Sequence, residues 1–381
     1  MSEAARTGWA TVTLDSVCEK ITDGTHRSPS MTPDGFLYVT SKNIRPFRLD
    51  LGERLYISEE DHKEIWSRCD VQLGDVLLTK DGANTGNAAI NPMVEPFSLL
   101  SSVALIRPTP GLLDAGFLCQ YLNSEPGRRR TTAAMDGLAI RRLTIKKIRD
   151  LDVPLPPLPE QRKIAAILSS IDDTIEHARI LISHLATLRT TLIRALVAGD
   201  GDVAGSQRVT LEEAATLQRG FDLPAQIRQA GPYPVMASNG SVGFHSEFQA
   251  RGPGVVTGRS GTIGKVFFLE RDFWPLNTTL FVKDFHGNDP KFIAYVLENL
   301  CLDRFVAATG VPSLNRNFIH PLPVWIPPLE EQVRIAARIS SSDDALRSNR
   351  QYIGELHQVK AGLLQALLPG EVRVNPDEAV A

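Results

Sequence analysis

Residues 156–173 read PPLPEQRKIAAILSSIDD, and residues 327–344 read PPLEEQVRIAARISSSDD. Laid over each other without gaps at a shift of 171, about two thirds of these positions are identical, which chance almost never supplies. Weaker echoes lie upstream of each copy. Val12-Thr13-Leu14-Asp15 matches Val209-Thr210-Leu211-Glu212, each shortly before a glycine, Gly24 and Gly220. GDVLLTKDGANTG (74–86) matches GPGVVTGRSGTIG (252–264). Gly137, Leu143 and Ile148 lead into the first Pro-Pro pair as Gly310, Leu314 and Ile319 lead into the second. The chain is two halves, roughly 1–199 and 200–381, each a globular unit followed by one distinctive segment.

That segment reads as a long helix. Proline fixes φ and disfavours helix at the residue before it, so each Pro-Pro pair stops what precedes it. Acidic residues then suit a helix's first turn. In the first copy a heptad seam follows at Ile164, Leu168, Ile171, Ile175, Ala178, Ile182, Leu185, Leu192 and Leu196, with Arg189 as the polar interruption. In the second it runs through Ile335, Ile339, Leu346, Ile353, Leu356, Leu363 and Leu367, diluted by Ser342 and Asn349, with Lys360 where Arg189 stands. Gly199 and Pro369-Gly370 supply the stops. A helix of ~38 residues is a rod of roughly 57 Å. The bland alternative is an amphipathic helix lying on its own domain. Two copies in matched register favour pairing with each other, and the globular unit between them lets the chain return, so they pack antiparallel. Arg189 and Lys360 then set the register.

The fold class expected is α+β: two β-rich globular domains in a pseudo-twofold arrangement, joined by two long antiparallel coiled-coil helices. The boundaries are 1–155 for the first head, 156–199 for the central helix, 200–326 for the second head, 327–370 for the C-terminal helix and 371–381 for a disordered tail. Short β-branched runs mark strands at Phe36–Thr40, Asp75–Thr79, Ala88–Ile90 and Val103–Arg107, then Val255–Gly258, Lys265–Leu269 and Thr279–Val282. Helices are expected near Ala115–Leu122 and Pro290–Leu300.

Composition is ordinary for a globular chain: 381 residues, 43% hydrophobic and 22% charged. A net charge of −3 excludes a uniformly positive coat but leaves room for a local basic face. No apolar run approaches the ~18 residues a membrane span needs, and residues Met1 to Arg6 lack a signal-peptide core, so a cytoplasmic protein is expected. Cys18, Cys69, Cys119 and Cys301 are far apart and read as reduced thiols rather than zinc ligands, and no metal site is expected.

Catalytic motifs fail one by one. Gly258–Lys265 resembles a phosphate-binding P-loop, but its first glycine is one residue too far from Gly-Lys and Val266 replaces the Ser or Thr. Asn91-Pro92 is followed by Met93-Val94 instead of the aromatic an adenine methyltransferase pocket needs. No H-E-x-x-H or G-x-S-x-G pattern occurs. Features suited to DNA are present instead. Residues 128–149 carry Arg128, Arg129, Arg130, Arg141, Arg142, Lys146, Lys147 and Arg149 against one acid, Asp136, a candidate phosphate-tracking strip. The paired loops Lys80-Asp81-Gly82-Ala83-Asn84-Thr85-Gly86 and Arg259-Ser260-Gly261-Thr262-Ile263-Gly264-Lys265 each offer a cation, hydroxyls and exposed N–H groups. The bland reading of either loop is a structural turn. Thr22 to His26, Ser41-Lys42-Asn43, Ser238-Asn239 and Asn315-Arg316 add residue types that read base edges.

At this point the sequence resembles the specificity (S) subunits of type I restriction–modification systems over essentially its whole length. The carrier is the doubled P-P-L-x-E-Q-x-x-I-A-A signature (156–166 and 327–337), one at the head of each long helix. Further likeness lies in Gly35-Phe36 through Thr40 to Ile44, in Pro234 to Gly240, and in Gly258 to Gly264 running on to Phe273–Thr279. Lys80-Asp81-Gly82 departs from the Arg-x-Gly of many family members. The resemblance implies target recognition domains that each read one half of an asymmetric split site in double-stranded DNA, on helices that set the gap. It implies two modification subunits that bind S-adenosylmethionine and methylate adenine, two ATP- and magnesium-dependent restriction subunits, and no cofactor, catalytic residue or membrane association for this chain. The competing readings are a coiled-coil adaptor without a DNA role and a self-contained DNA methyltransferase or nuclease.

Overall fold

The computed structural model describes residues 8–135, 142–198, 204–305, 312–370 and 372–375. Four helices carry the architecture: α1 Ala115–Asn123, α2 Leu158–Val197, α3 Pro290–Asn299 and α4 Leu329–Leu367. The chain divides into two compact units, one of Met1–Arg179 with Tyr352–Ala381 and one of Ile180–Gln351. Both long helices start directly after their Pro-Pro pair and run 40 and 39 residues. Gly137, Arg141, Gly199 and Gly310 lie outside the described residues.

In the first unit β1 (Cys18–Asp23), β2 (Val76–Thr79), β3 (Ala88–Ile90) and β4 (Val103–Pro108) form an antiparallel sheet in the order β1-β4-β2-β3. In the second, β5 (Thr216–Arg219), β6 (Gly254–Gly258), β7 (Val266–Leu269) and β8 (Thr279–Asp284) repeat that order as β5-β8-β6-β7. The upstream echo has a structural meaning. Ala10–Thr13 pairs with Asp152–Leu155, and Gln207–Thr210 with Pro323–Ile326, so each head is tied shut by a strand entering its signature. Leu14 and Leu211 follow those strands and are fully buried, as are Ile148 and Ile319 just before the closing strand. Residues of this kind contribute about 1.5–3 kcal/mol each.

The glutamine of each signature joins head to helix. Gln161 accepts from Asp114 N at 2.8 Å and donates to the carbonyls of Pro156 at 2.8 Å and Leu112 at 3.0 Å. Gln332 accepts from Asp289 N at 2.9 Å and donates to Pro327 O and Asn288 Oδ1, each at 2.8 Å. Asp114 and Asp289 in turn cap α1 and α3 by accepting from Phe117 N and Phe292 N. The cap of each head's principal helix is thereby fixed to the base of a long helix.

Helix direction follows within each unit. In the first, Lys360 near the end of α4 pairs with Asp172 near the start of α2, Nζ to Oδ1 2.5 Å. In the second, Arg189 near the end of α2 pairs with Asp343 near the start of α4 and with Glu298 of α3. Both are antiparallel pairings, and both couple equivalent positions of the repeat. Ile164, Leu168, Ile175, Ile335, Ile339 and Leu346 are buried as the heptad reading expects, while Ile171, Ile182, Leu185, Ile353, Leu356 and Leu363 are half-buried. At the end of α2 the most buried residues are Ile193 and Val197, one position on from the expected Leu192 and Leu196. There the helix meets Phe292 and Leu297 in one core, which turns the buried face away from a strict two-helix seam.

Two expectations are revised. By length and composition an 18-residue stretch of α2, with mean hydropathy 1.4, is apolar enough to cross a membrane. Its apolarity combines the seam with Ile180, Leu181 and Leu188, which are 45–49% exposed. Within the tail expected to be disordered, Arg373 is held by Glu160 at 2.6 Å and lies 5.5 Å from the Trp9 ring centroid. Residues 371 and 376–381 lie outside the described residues.

His320 ties β5 down in the second head, its Nε2 accepting from Leu217 N at 3.1 Å. Burial lowers its pKa below the ordinary 6.5, with Glu212 pulling the other way. The unfolded chain therefore binds more protons in the window below 6.5, and stability falls as pH drops through it. Melting curves on both sides of that pH are expected to show this acid-side loss, and His320→Gln, whose amide oxygen can still accept, should reduce it, with His62, whose pKa burial also lowers, supplying a further share. An equal acid-side loss in the variant would remove His320 as the cause.

Candidate nucleic-acid interface

The two loops singled out in the sequence occupy the same place in each sheet, after β2 and after β6. Lys80 N and Asp81 N both donate to Ser102 O, as Arg259 N and Ser260 N both donate to Thr278 O. Leu143 N closes on Lys80 O at 2.8 Å, and Leu314 N on Arg259 O at 2.7 Å. Lys80 and Arg259 are thus equivalent, one residue out of step with the ungapped alignment. Gly82 and Gly261 follow at φ 101° and 82°, a conformation that favours glycine. The neighbouring strands match as well. Asp23 on β1 lies opposite Ala104, and Arg219 on β5 opposite Leu280, each directly before a glycine that crosses close to backbone carbonyls.

The side chains in these equivalent frames differ. In the first unit Lys80 is buried, its Nζ 3.3 Å from Asp23 Oδ2 and 3.1 Å from Asp81 Oδ2. Asp23 also takes Arg68 at 3.3 Å and His26 at 3.2 Å. The Lys80 cation is therefore neutralised inside the head rather than presented to a ligand. In the second unit Arg259 is half-buried and Arg219, Lys283, Asn315 and Arg316 are exposed. With Gln218, Ser313 and Thr216 they line a cleft of about 640 Å³ that contains four cations and no carboxylate.

The remaining candidates divide. Asn84 Nδ2 donates to Ser41 O and Thr85 Oγ1 to Gly82 O, so both stabilise their own loop or its neighbour. Arg128 is half-buried and donates to the Asn87 and Asn123 amide oxygens, burial pulling its pKa down. Arg129 pairs with Glu125, and Arg130 donates to Asp152 O at 2.9 Å. Arg142 and Lys146 are exposed, and Arg141 is outside the described residues, so the 128–149 strip is not one continuous set of free cations. Ser238 Oγ accepts from Thr262 N at 3.4 Å, which makes both part of the turn, and Asn239 is exposed at a hairpin tip. Lys265 lines a different cavity, beside Arg189 and Tyr295. Asn43 is buried, tying Thr40 to the Asp50 and Glu53 carbonyls. Burial pushes the Cys18, Cys69 and Cys119 thiols up to about 12, the behaviour of inert core residues.

Sequence reading missed Gln218, Arg219 and Lys283. The signal was available: aligning Gly24 with Gly220 places Asp23 over Arg219.

Two heads of one sheet order, each clamped by a signature glutamine to the start of a long helix and each bearing a cation loop, define a two-headed binding protein made by internal duplication. The chain belongs to the family of the type I restriction modification DNA specificity domain, whose model matches residues 6–183 and again 204–358. This bears out the resemblance carried by the doubled signature. The type I restriction enzyme MjaVIII specificity subunit of Methanocaldococcus jannaschii is 21% identical over 80% of this chain and 80% of its own. The crystal structure of the type I restriction-modification S subunit from M. genitalium shares the fold, with a TM-score of 0.68 at 18% identity over 97% of this chain and 98% of that one. A structure described as the basis of complex assembly and conformational transition of the type I R-M system aligns at TM-score 0.56 and 19% identity, covering 96% and 98%.

Proposed function

We propose that this chain is the DNA-specificity subunit of a type I restriction–modification complex. Each head reads one half of an asymmetric, split site in double-stranded DNA, and the paired helices set the unread gap. The observation that carries this reading is the pair of glutamine clamps, which fix a head to each long helix while leaving the two heads unlike in surface chemistry. A recognition device with fixed spacing needs that rigidity, because reading two half-sites at once requires both to be held in register. Family membership favours this over a coiled-coil adaptor or a self-contained methyltransferase or nuclease.

The chain itself performs no chemistry in this account and binds no cofactor. Two modification subunits dock on the helices, supported by the exposed Ile180, Leu181 and Leu188, and carry S-adenosylmethionine. Two restriction subunits bring ATP and magnesium, and the assembly works in the cytoplasm without membrane insertion. The DNA-contacting set includes Arg259, Asn315 and Arg316 in the second head and the exposed Arg142 and Lys146 in the first.

Replacing residues 1–155 by the first head of another family member, then mapping methylated adenines in the host genome, tests the reading. One half-site is expected to change while the other persists. A change in both would refute independent reading by the two heads.

A further inference from the structure

The two heads place the same backbone around opposite electrostatics. At equivalent positions the first head has Asp23, Lys80 and Asp81, a cation between two carboxylates. The second has Arg219, Arg259 and Ser260, two cations and a hydroxyl. Lys283 stands on β8 where Arg107 stands on β4. Arg107 is held by Asp75 at 2.8 Å and by Asp70 at 3.4 Å, whereas no ion pair involves Lys283 among the described residues. Nor does any involve Arg219, Arg259 or Arg316. Four cations around one open cleft without a carboxylate set up a positive field that favours a polyanion there.

Resting on the DNA reading above, we propose that the cleft of the second head holds backbone phosphates of the bound duplex, and that it supplies salt-dependent, sequence-independent affinity that the equivalent place in the first head does not. A lysine already paired with two aspartates releases no counterion when DNA arrives. An unpaired arginine releases about 0.9 counterion per phosphate it neutralises. The first head's equivalent place therefore adds almost nothing to the salt slope.

The test uses the full chain assembled with its modification subunits. Binding to a cognate duplex and to a random-sequence duplex is measured across a range of salt. Arg219→Gln, Arg259→Gln and Lys283→Gln are each expected to reduce the slope of log affinity against log salt by about 0.9, equally on both duplexes. Arg219→Asp recreates the first head's pairing around Arg259, so its reduction should be about twice that of Arg219→Gln. Arg219→Lys should retain the slope, and unchanged melting temperature and subunit assembly exclude misfolding. Unaltered slopes in folded variants that still bind the cognate duplex overturn the phosphate cleft and leave the DNA reading standing. A loss confined to the cognate duplex assigns the cleft to base reading and overturns it too. Failure of the unaltered complex to bind any duplex sinks both.

Discussion

Replacing Asp172 by alanine is expected to lower the chain's first unfolding transition by roughly 10 °C, while Lys360→Met leaves it nearly unchanged. The asymmetry comes from burial. Lys360 is 4% exposed in the helix seam, its ammonium 2.5 Å from Asp172 and 2.9 Å from the Phe47 ring centroid. Burial already lowers its pKa, and Asp172 is the main group that opposes this. Without Asp172 the chain must bury an unpaired ammonium or release its proton, at about 3–5 kcal/mol. Methionine fills the same space without charge. The Asp172 left behind is 25% exposed and keeps its bond from Gln120 Nε2 at 2.8 Å. The equivalent Asp343→Ala should be milder, because Arg189 keeps Glu298. Equal losses from Asp172→Ala and Lys360→Met in thermal melts would show that packing rather than charge holds this seam.

Gln161→Leu is expected to cost about 2–4 kcal/mol, since it removes the partner of the buried Pro156 carbonyl and of the part-buried Asp114 N–H and Leu112 carbonyl, at about 1–3 kcal/mol for a group left unsatisfied. Leucine is close to glutamine in volume, so the loss reports hydrogen bonding rather than a cavity. Gln332→Leu should behave alike, removing one N–H partner, one carbonyl partner and the Asn288 bond. Gln365→Leu, an exposed position on α4, serves as the control and should stay within about 0.5 kcal/mol. Urea unfolding with a constant m-value gives the comparison. A shift for Gln161→Leu no larger than the control's would mean that the signature glutamine is not what joins head to helix.

Much of this architecture was legible in the residues alone. Duplication, the two long helices, and the main strands at 76–79, 88–90 and 254–258 follow from repetition and local pattern, because helix periodicity and β-branched runs are short-range properties. The signature marked where each helix begins. The polar positions Arg189 and Lys360 were visible as interruptions of the seam, but their partners were not. Asp172 and Asp343 lie inside the quoted repeat, yet only the antiparallel return of the chain brings them opposite a cation 188 and 154 residues away in sequence.

The candidate site divides the same way. Sequence by itself determined that two equivalent loops exist and that each carries a cation, since a charge after a strand is followed two residues later by Gly82 in one and Gly261 in the other. Whether that charge faces a ligand was decided by tertiary structure. Lys80 and Arg259 look interchangeable as letters, but the strand two places across the sheet supplies Asp23 in one head and Arg219 in the other, from 57 and 40 residues upstream. Ionic interactions reach only a few ångströms before water and salt screen them, so the neighbour in space, not in sequence, sets what a charged side chain can do.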